Sequence, residues 1–452
     1  MYKFFFSAFF IFSSFPALGQ IPELSSSNLP IIIINTHGRE IPDLERIVAD
    51  MGVIFNPGQR NNISDEFNNY DGKIAIETRG SSSSAYPKKQ YRLETQDSSG
   101  NNFNVSLLGL PKENDWVLYG PYDDQSLIRN VLAYMISNKM GQYASRTHFC
   151  ELILNDEYQG LYVLLEKIKR DKNRVDIATL NEQDISGDQL SGGYIIKVDK
   201  IEGESTERWY SPYGTLYQYH YPRYDDIQPE QIEYIQDYMA SFEDLMDSPD
   251  FNDPENGYVQ FIDENSFADH FIINEYAKNV DAYRLSAFLY KDKDSKDGKL
   301  KAGPIWDFNL SFGKAWFYED LFLTQGWQVN YNSWRPGDGY KVPFWWEKLA
   351  RDNHFESKVI TRWQELRQDI LSTETIFACI DSLVSEIAEA RVRNFQRWPA
   401  PAENHSYELE ILQLKSWIIA RTEWVDNNLS LLSALPSQQT TTPDNFYTLR
   451  II

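Results

Sequence analysis

Alternation of apolar and polar residues marks the first half of the chain as rich in β-strands. Lys73–Arg79 alternates and predicts one strand, and Gln90–Thr95 predicts a second strand after a serine-rich turn. Phe149–Leu154 and Tyr158–Glu166 predict two strands joined by a hairpin turn, and Gly192–Asp199 predicts another strand. The first half therefore resembles a sheet or barrel more than a helical bundle.

Apolar residues at three- and four-residue spacing predict that the second half is helical. The predicted helices are Pro229–Met246, Asp263–Val280, Phe344–Leu371, Glu374–Arg397 and Tyr407–Leu432, preceded by one earlier helix at Leu127–Met140. Residues 201–228 are rich in Tyr, Ser and Pro and predict a long loop or an exposed hairpin. The expected fold class is α+β, with a β-rich lobe at about 31–200 and a helical lobe at about 229–435.

The two ends of the chain differ from the rest. Residues 1–19 combine an early lysine, a short apolar run and small residues before an expected cleavage after Gly19, which is typical of a secretory signal peptide. The run is too short to span a bilayer, so no transmembrane segment is expected in the mature chain. Residues 20–30 form a polar leader, 31–435 the folded domain, and 436–452 a flexible tail. We expect export to the periplasm, the cell surface or the medium.

Charge and cysteine content narrow the classes of partner. The formal net charge of −23 argues against nucleic acid and acidic membrane surfaces and is compatible with divalent cations. Cys150 and Cys379 either form one disulfide or remain two independent buried thiols. Neither cysteine has a neighbour at the spacing of metal ligands, so a zinc site is not expected.

Two aspartates carry the candidate chemistry. Asp281 closes a predicted helix, and Asp307 follows an apolar segment, with a strand, a hairpin and a second strand between them. Carboxylates at the ends of neighbouring strands can converge on one metal–phosphate centre. Glycoside hydrolysis is another chemistry that uses a pair of carboxylates.

Six segments in order resemble the CotH kinase family. They are Glu77–Ser83 with Pro87–Lys89, Asn114–Asn130, Gly160–Glu166, Gly192–Tyr194, Asp281 and Gly303–Phe308. The resemblance covers roughly residues 70 to 430. It implies an atypical protein-kinase-like fold that transfers phosphate from ATP to Ser or Thr of a partner protein, with Mg²⁺ or Mn²⁺ as cofactor. The phosphoacceptor and the oligomeric state are not indicated.

The same resemblance assigns roles to the aspartates and exposes two departures. Asp281 matches the catalytic aspartate, which orients a substrate hydroxyl and accepts its proton. Asp307 matches the metal-binding aspartate. Kinases place an Asn five residues after the catalytic Asp as a metal ligand, and Ser286 stands there. A second acid often follows the metal Asp by two residues, and Asn309 stands there, so this metal site carries less negative charge.

A further set of candidates belongs to the motif strands. The residues expected to contact ATP or its phosphates are Arg79, Ser82, Ser83, Lys88, Lys89 and Glu166. Backbone N–H groups of a Ser-rich turn can surround a phosphate, and a kinase lysine reaches the α- and β-phosphates with support from a glutamate. A solvated hairpin, a surface lysine and a strand-end salt bridge are the competing interpretations of these residues.

A non-catalytic hypothesis stays open beside the kinase. Export favours an inactive binding or envelope-structural module, since ATP is scarce outside the cytoplasm. The aromatic residues concentrated in two regions either pack in the core or form a platform for a glycan or a partner. The tryptophans of the second region are Trp316, Trp327, Trp334, Trp345 and Trp346.

Overall fold

The computed structural model describes residues 23–43, 45–201, 208–314, 322–399 and 406–434. The predicted signal peptide, the start of the polar leader and the predicted tail at 436–452 lie outside these ranges. No helix of the described residues is long and apolar enough to cross a membrane.

The strands fall between residues 26 and 302. They are β1 (Ser26–Ser27), β2 (Ile31–Asn35), β3 (Ile47–Ile54), β4 (Asn61–Asn62), β5 (Tyr70–Arg79), β6 (Gln90–Gln96), β7 (Asp115–Tyr119), β8 (Thr147–Leu154), β9 (Glu157–Glu166), β10 (Tyr194–Val198), β11 (Arg208–Tyr210), β12 (Leu216–Tyr221), β13 (Ala287–Lys291) and β14 (Leu300–Ala302).

Helices occur throughout and dominate the end of the chain. They are α1 (Arg129–Lys139), α2 (Gly187–Leu190), α3 (Pro229–Asp247), α4 (Glu264–Ala277), α5 (Tyr331–Trp334), α6 (Phe344–Arg351), α7 (Asn353–Arg367), α8 (Thr373–Glu386), α9 (Ala388–Arg397) and α10 (Tyr407–Asn428). Helices and sheets together confirm the α+β class.

Seven strands close into a barrel in the order β2-β3-β5-β6-β7-β9-β8. All neighbouring pairs are antiparallel except β2 and β8, which run parallel and close the ring. Because side chains alternate across a strand, Ile76, Leu93, Trp116 and Leu164 fill the interior. The outer face of the same strands carries the charged residues that matter for the site.

The second sheet is antiparallel in the order β11-β12-β10-β13-β14. Strands β11 and β12 form a hairpin, one of the two alternatives that the sequence left for residues 201–228, although Tyr217 and Tyr219 are buried in it. Strands β13 and β14 are the two strands predicted between Asp281 and Asp307, and they lie within the range expected to be mainly helical. One continuous apolar core joins this sheet to α1, α4 and the C-terminal helices.

Two predicted helices are interrupted. The helix predicted at 344–371 divides at Asp352, whose carboxylate accepts hydrogen bonds from the N–H groups of His354 and Phe355 and so begins α7. The helix predicted at 374–397 divides at Ile387, between α8 and α9. Cys150 lies in β8 and Cys379 in α8, and both are buried free thiols, so the disulfide alternative is excluded.

Candidate active site

The segments that carry the two aspartates are fastened side by side. Helix α4 ends at Ala277, and the C-cap residue Lys278 adopts φ +44°. Beyond it, the Val280 N–H donates to the Leu310 carbonyl at 3.1 Å, and the Phe312 N–H donates to the Ala277 carbonyl at 2.7 Å. These backbone bonds pair the chain before Asp281 with the chain after Asp307.

Helix α1 fixes the backbone around Asp307. The Asp307 N–H donates to the Tyr134 hydroxyl at 3.1 Å, and the Phe308 N–H donates to the Asn130 side-chain oxygen at 2.9 Å. Asp307 has φ +62°, a left-handed conformation that Asp and Asn tolerate better than other residues. Its carboxylate is exposed and accepts no hydrogen bond from the described residues, which leaves both oxygens available to a ligand.

The electrostatics of Asp307 show what it faces. Loss of hydration, together with the charge of Asp281, raises the pKa of Asp307 to about 7, and Arg79 opposes this rise. Asp123 and Asp199 contribute further repulsion. The influence of Asp281 on Asp307 agrees with the backbone bonds that pair their two segments.

Asp281 is oriented by Arg284. The Arg284 guanidinium donates to the Asp281 Oδ1 at 3.0 Å and to the Val280 carbonyl at 3.2 Å. It also lies 3.6 Å from Asp338 and 4.1 Å from the centre of the Tyr331 ring. Burial raises the pKa of Asp281, while Arg284 lowers it. The Asp281 side chain remains 19% exposed, so it is positioned and still reachable.

Ser286 and Asn309 lie beside acids that the sequence analysis did not identify. Ser286 has φ +49°, and its N–H donates to Asp199 Oδ1 at 3.2 Å. The Asn309 side chain donates to Asp123 Oδ2 at 3.3 Å. Asp199 directly follows strand β10, just as Asp307 follows an apolar segment. This shared position at the end of a segment could have identified Asp199 from the sequence.

The oxygen ligands around Asp307 fit a cation that shares its coordination with phosphate. Within the described ranges, no three His, Cys, Asp or Glu side chains are grouped closely enough to hold a metal ion. Mg²⁺ is commonly bound by one or two carboxylates and completes its shell with phosphate and water oxygens. Asp307 supplies one carboxylate without a partner among the described residues, and Asp281 and Ser286 are further candidate ligands. One or two carboxylates are enough for such a site.

Arg79 is the phosphate-binding candidate whose charge acts on Asp307. Its guanidinium lies 5.6 Å from the centre of the Trp306 ring and forms no ion pair among the described residues. Gly80 follows at φ +105°, and a 3₁₀ turn spans Ser82–Ala85. A side chain at Gly80 would overlap the Ser83 hydroxyl, so the tight turn requires glycine.

The two candidate lysines, Lys88 and Lys89, donate to groups other than the two aspartates. The Lys88 ammonium is buried, donates to the Leu161 carbonyl at 2.5 Å and to the Asn394 side chain at 2.7 Å, and lies 4.8 Å from the Tyr162 ring centre. Burial holds the pKa of Lys88 well below its usual range. Lys89 donates to the Ser84 carbonyl at 2.6 Å and fastens the 3₁₀ turn.

Glu166 is enclosed by arginines and not by the lysines. It is fully buried and accepts from the N–H and Nε of Arg146, both at 3.0 Å, and from the Tyr143 hydroxyl at 3.2 Å. Arg174 lies 3.3 Å from its other oxygen. This is the strand-end salt bridge that the sequence left as an alternative.

Most of the tryptophans between residues 316 and 346 belong to the core. Trp327, Trp345 and Trp346 are buried, and Trp334 is partly buried. Trp316 lies outside the described residues. The buried members pack against the central helices and cannot serve as a binding platform.

Comparison with known proteins agrees with the order of motifs. The family model described as CotH kinase protein matches residues 76–425, which is most of the chain and includes both cleft aspartates. No curated protein matches the chain. The protein therefore belongs to the CotH kinase family.

Proposed function

We propose that the protein is an exported atypical protein kinase that transfers the γ-phosphoryl group of ATP to a Ser or Thr hydroxyl of a secreted or envelope protein. Family membership supports kinase chemistry in general. The observation that carries the proposal is the backbone pairing of the segments that hold Asp281 and Asp307, with the Asp307 carboxylate exposed and free of donors from the described residues.

In this proposal the barrel and the helical remainder act as the two lobes of a kinase-like fold. Asp281 accepts a hydrogen bond from the substrate hydroxyl and takes its proton as the oxygen attacks the γ-phosphorus. The bond between the γ-phosphorus and the bridging oxygen breaks, and ADP leaves. Arg284 keeps the Asp281 carboxylate aimed into the cleft.

Asp307 would hold Mg²⁺ or Mn²⁺, with the Ser286 hydroxyl and the Asn309 side chain as further candidate ligands. When bound, the cation neutralises the charge of the β- and γ-phosphates. Arg79 would contact the terminal phosphate, since it is the cation beside Asp307.

One observation favours the alternative, an inactive module with the same fold. The described residues provide no group of three ligands for a metal, and Ser286 and Asn309 replace more strongly binding ligands. A module of this kind would bind a cation or a nucleotide weakly, or neither.

Thermal shift and transfer assays separate the two functions. We expect Mg²⁺–ATP to raise the melting temperature, and autophosphorylation or transfer to a Ser-containing protein to fall about 10³-fold in Asp281→Asn with the thermal shift retained. The absence of any shift at millimolar ATP with Mg²⁺ or Mn²⁺ would establish the inactive module. Transfer that persists in Asp281→Asn would remove this aspartate from the mechanism.

A further inference from the structure

Arg284 lies between two carboxylates that come from separate segments of the chain. Its Nη2 donates to Asp281 Oδ1 at 3.0 Å, and its Nη1 lies 3.6 Å from Asp338 Oδ2. The Arg284 side chain is only 5% exposed, so salt and water screen these interactions little. The guanidinium therefore connects the carboxylate proposed to accept the substrate proton with an acid that approaches from the other side.

Tyr331 contacts both Arg284 and Asp338. The Arg284 guanidinium lies 4.1 Å from the centre of the Tyr331 ring, and the Tyr331 hydroxyl donates to Asp338 Oδ2 at 2.6 Å. The Tyr331 side chain is buried. Because a guanidinium is planar, a ring contact and a carboxylate on one of its edges together restrict both its plane and its direction.

The loop that carries Asp338 is held by its own hydrogen bonds. Asp338 Oδ1 accepts from the Tyr340 N–H at 2.8 Å. The Asn332 side chain donates to the Val342 carbonyl at 2.8 Å and accepts from the Val342 N–H at 2.9 Å, which closes the loop between α5 and α6. Asp338 thus occupies a defined position from which to hold Arg284.

The residues just before α5 are attached to α4, the helix that leads to Asp281. The N–H groups of Gln328 and Val329 each donate to the buried Glu275 carboxylate at 2.7 Å. The Tyr283 hydroxyl donates to the same carboxylate at 3.0 Å. This attachment does not involve Asp338, so α5 should keep its place when Asp338 is replaced.

Charge balance alone does not require a second acid beside Arg284. Asp281 already supplies one carboxylate, and an arginine with a single acid commonly donates from both terminal nitrogens to both of its oxygens. Here only Asp281 Oδ1 receives the guanidinium, and no described residue donates a hydrogen bond to Oδ2. Asp338 lies against Nη1, the nitrogen that would otherwise reach Oδ2.

We infer that Asp338 and Tyr331 are positioning residues that hold Arg284 on a single oxygen of Asp281, which keeps Asp281 Oδ2 open to the substrate hydroxyl. This inference rests on the proposed function for the role of Asp281. The arrangement of the three side chains around Arg284 can be tested without any activity.

The first test uses Asp338→Asn, which removes the charge and keeps an acceptor for the Tyr340 N–H. We expect Arg284 to turn both terminal nitrogens to Asp281, with Nη1 within about 3.2 Å of Oδ2 in a crystal structure of the variant. Phosphoryl transfer should fall about tenfold in kcat with an unchanged KM for Mg²⁺–ATP, because Asp281 acts in the transition state. An unmoved Arg284, or an unchanged kcat, would overturn the inference.

Tyr331→Phe removes the hydroxyl and keeps the ring, and we expect kcat to fall about threefold. Because the hydroxyl acts through Asp338, the double variant with Asp338→Asn should be no slower than Asp338→Asn alone. Independent structural roles would multiply to about thirtyfold, and that result would contradict the inference. This pair of substitutions leaves Arg284 intact, and melting curves identify any variant that fails to fold.

Asp244→Asn is the matched control. Asp244 lies on α3 and accepts a hydrogen bond from the Tyr213 hydroxyl at 3.1 Å, so the same chemical change is made in another tyrosine–aspartate pair. It should alter neither kcat nor the position of Arg284. A tenfold loss in this control would show that the effect of Asp338→Asn is not specific to the site.

The kinase proposal and this inference fail in different ways. A two-oxygen contact between Arg284 and Asp281 in the Asp338→Asn crystal structure, in a protein that never transfers phosphate, would support the positioning of Arg284 and reject the kinase. Active transfer with an unchanged kcat in Asp338→Asn would reject the positioning role and leave the kinase proposal intact.

Discussion

Asp307 and Glu166 are both acids that follow apolar segments in family motifs, yet the fold treats them in opposite ways. Glu166 has no exposed surface and is surrounded by Arg146, Arg174 and the Tyr143 hydroxyl. Asp307 is exposed, its charge interacts with that of Asp281, and no described residue donates to its carboxylate. One acid is satisfied by the protein itself, and the other is left for a ligand.

This contrast shows that partners, and not motif position, separate a structural acid from a functional one. Removing the charge of a buried carboxylate that is paired with arginines destabilises the fold, because the arginines lose a buried counter-ion. A carboxylate held near like charges destabilises the fold and gains when a cation arrives. Substitutions at the two positions should therefore affect different properties.

The largest expected effect is on phosphoryl transfer in Asp307→Asn. We expect transfer to fall about 10³-fold and the thermal shift with Mg²⁺–ATP to disappear, since the amide cannot neutralise a cation. The melting temperature without nucleotide should stay the same or rise, because repulsion from Asp281 is removed. Asn is the suitable replacement since it also tolerates φ +62°.

Asp156→Asn is the control for Asp307→Asn. Asp156 is exposed in the β8–β9 hairpin at φ +66°, so the chemical change and the backbone conformation match. It should alter neither transfer nor the nucleotide-dependent shift. Normal transfer in Asp307→Asn would break the contrast with Glu166.

Glu166→Gln should lower stability and leave the chemistry intact. Neutralising this side chain leaves Arg146 without its buried counter-ion and leaves Arg174 with only Glu113 and Asp171, each at 3.5 Å, which costs about 3 kcal/mol in the free energy of unfolding. Urea denaturation measures the loss, and transfer per folded molecule should remain within about twofold. An exposed acid, Glu157, offers the comparison, and Glu157→Gln should cost under about 0.5 kcal/mol.

A selective loss of transfer in Glu166→Gln, with normal stability, would move Glu166 into the active site. The nucleotide-dependent thermal shift then becomes the useful second readout. Its loss would indicate that Glu166 orients a phosphate contact through Arg146 or Arg174.

Local sequence patterns predicted the elements, and long-range contacts decided how they assembled. The hairpin between β8 and β9 was predictable because its turn is local. The parallel pairing of β2 with β8, which closes the barrel, joins segments more than 100 residues apart and leaves no local signal. An aspartate such as Asp352 is a common N-cap, but the helical spacing of apolar residues continues through it. The sequence therefore predicted one helix where the structure has α6 and α7.

The same limit applies to the candidate site. Asp281 and Asp307 stand out because short motifs surround them. The position of Lys88 depends on Asn394, 306 residues away, so its burial was invisible from its own neighbourhood.

Lys167→Met tests whether a lysine with little exposed surface is also held at a cost to the fold, as Asp307 is. The pKa of Lys167 falls to about 7 in the folded chain, below its usual 10.5, so folding disfavours the charged form. We expect Lys167→Met to raise the free energy of unfolding by about 2 kcal/mol at pH 7 and below. The gain should shrink as pH rises from 7 towards 10.5, where the unfolded lysine also becomes neutral.

Denaturation of the unmodified protein and of Lys167→Met at a series of pH values measures this difference in the free energy of unfolding. Lys172→Met should show no pH-dependent difference, since that lysine is exposed. A destabilising Lys167→Met would mean that the attraction between Lys167 and Asp115 outweighs the loss of hydration, and Lys167 would then resemble Glu166 more than Asp307.

The smallest expected effect concerns Ser286, which sits where a kinase would place a metal ligand. At φ +49° an Asn is more favourable than a Ser, so Ser286→Asn should fold at least as well. Its side-chain oxygen adds a donor near Asp281, and we expect the KM for Mg²⁺–ATP to fall about threefold. Steady-state kinetics at several Mg²⁺ concentrations measure this change.

Ser286→Gly separates the backbone effect from the ligand effect. Glycine relieves the same left-handed conformation and supplies no donor, so it should raise stability without lowering the KM. If both variants change the KM equally, the side chain at 286 does not reach the cation, and the metal is held mainly by Asp307. If only Asn lowers the KM, the cleft retains the geometry of a metal site, with one weakened ligand that a single substitution restores.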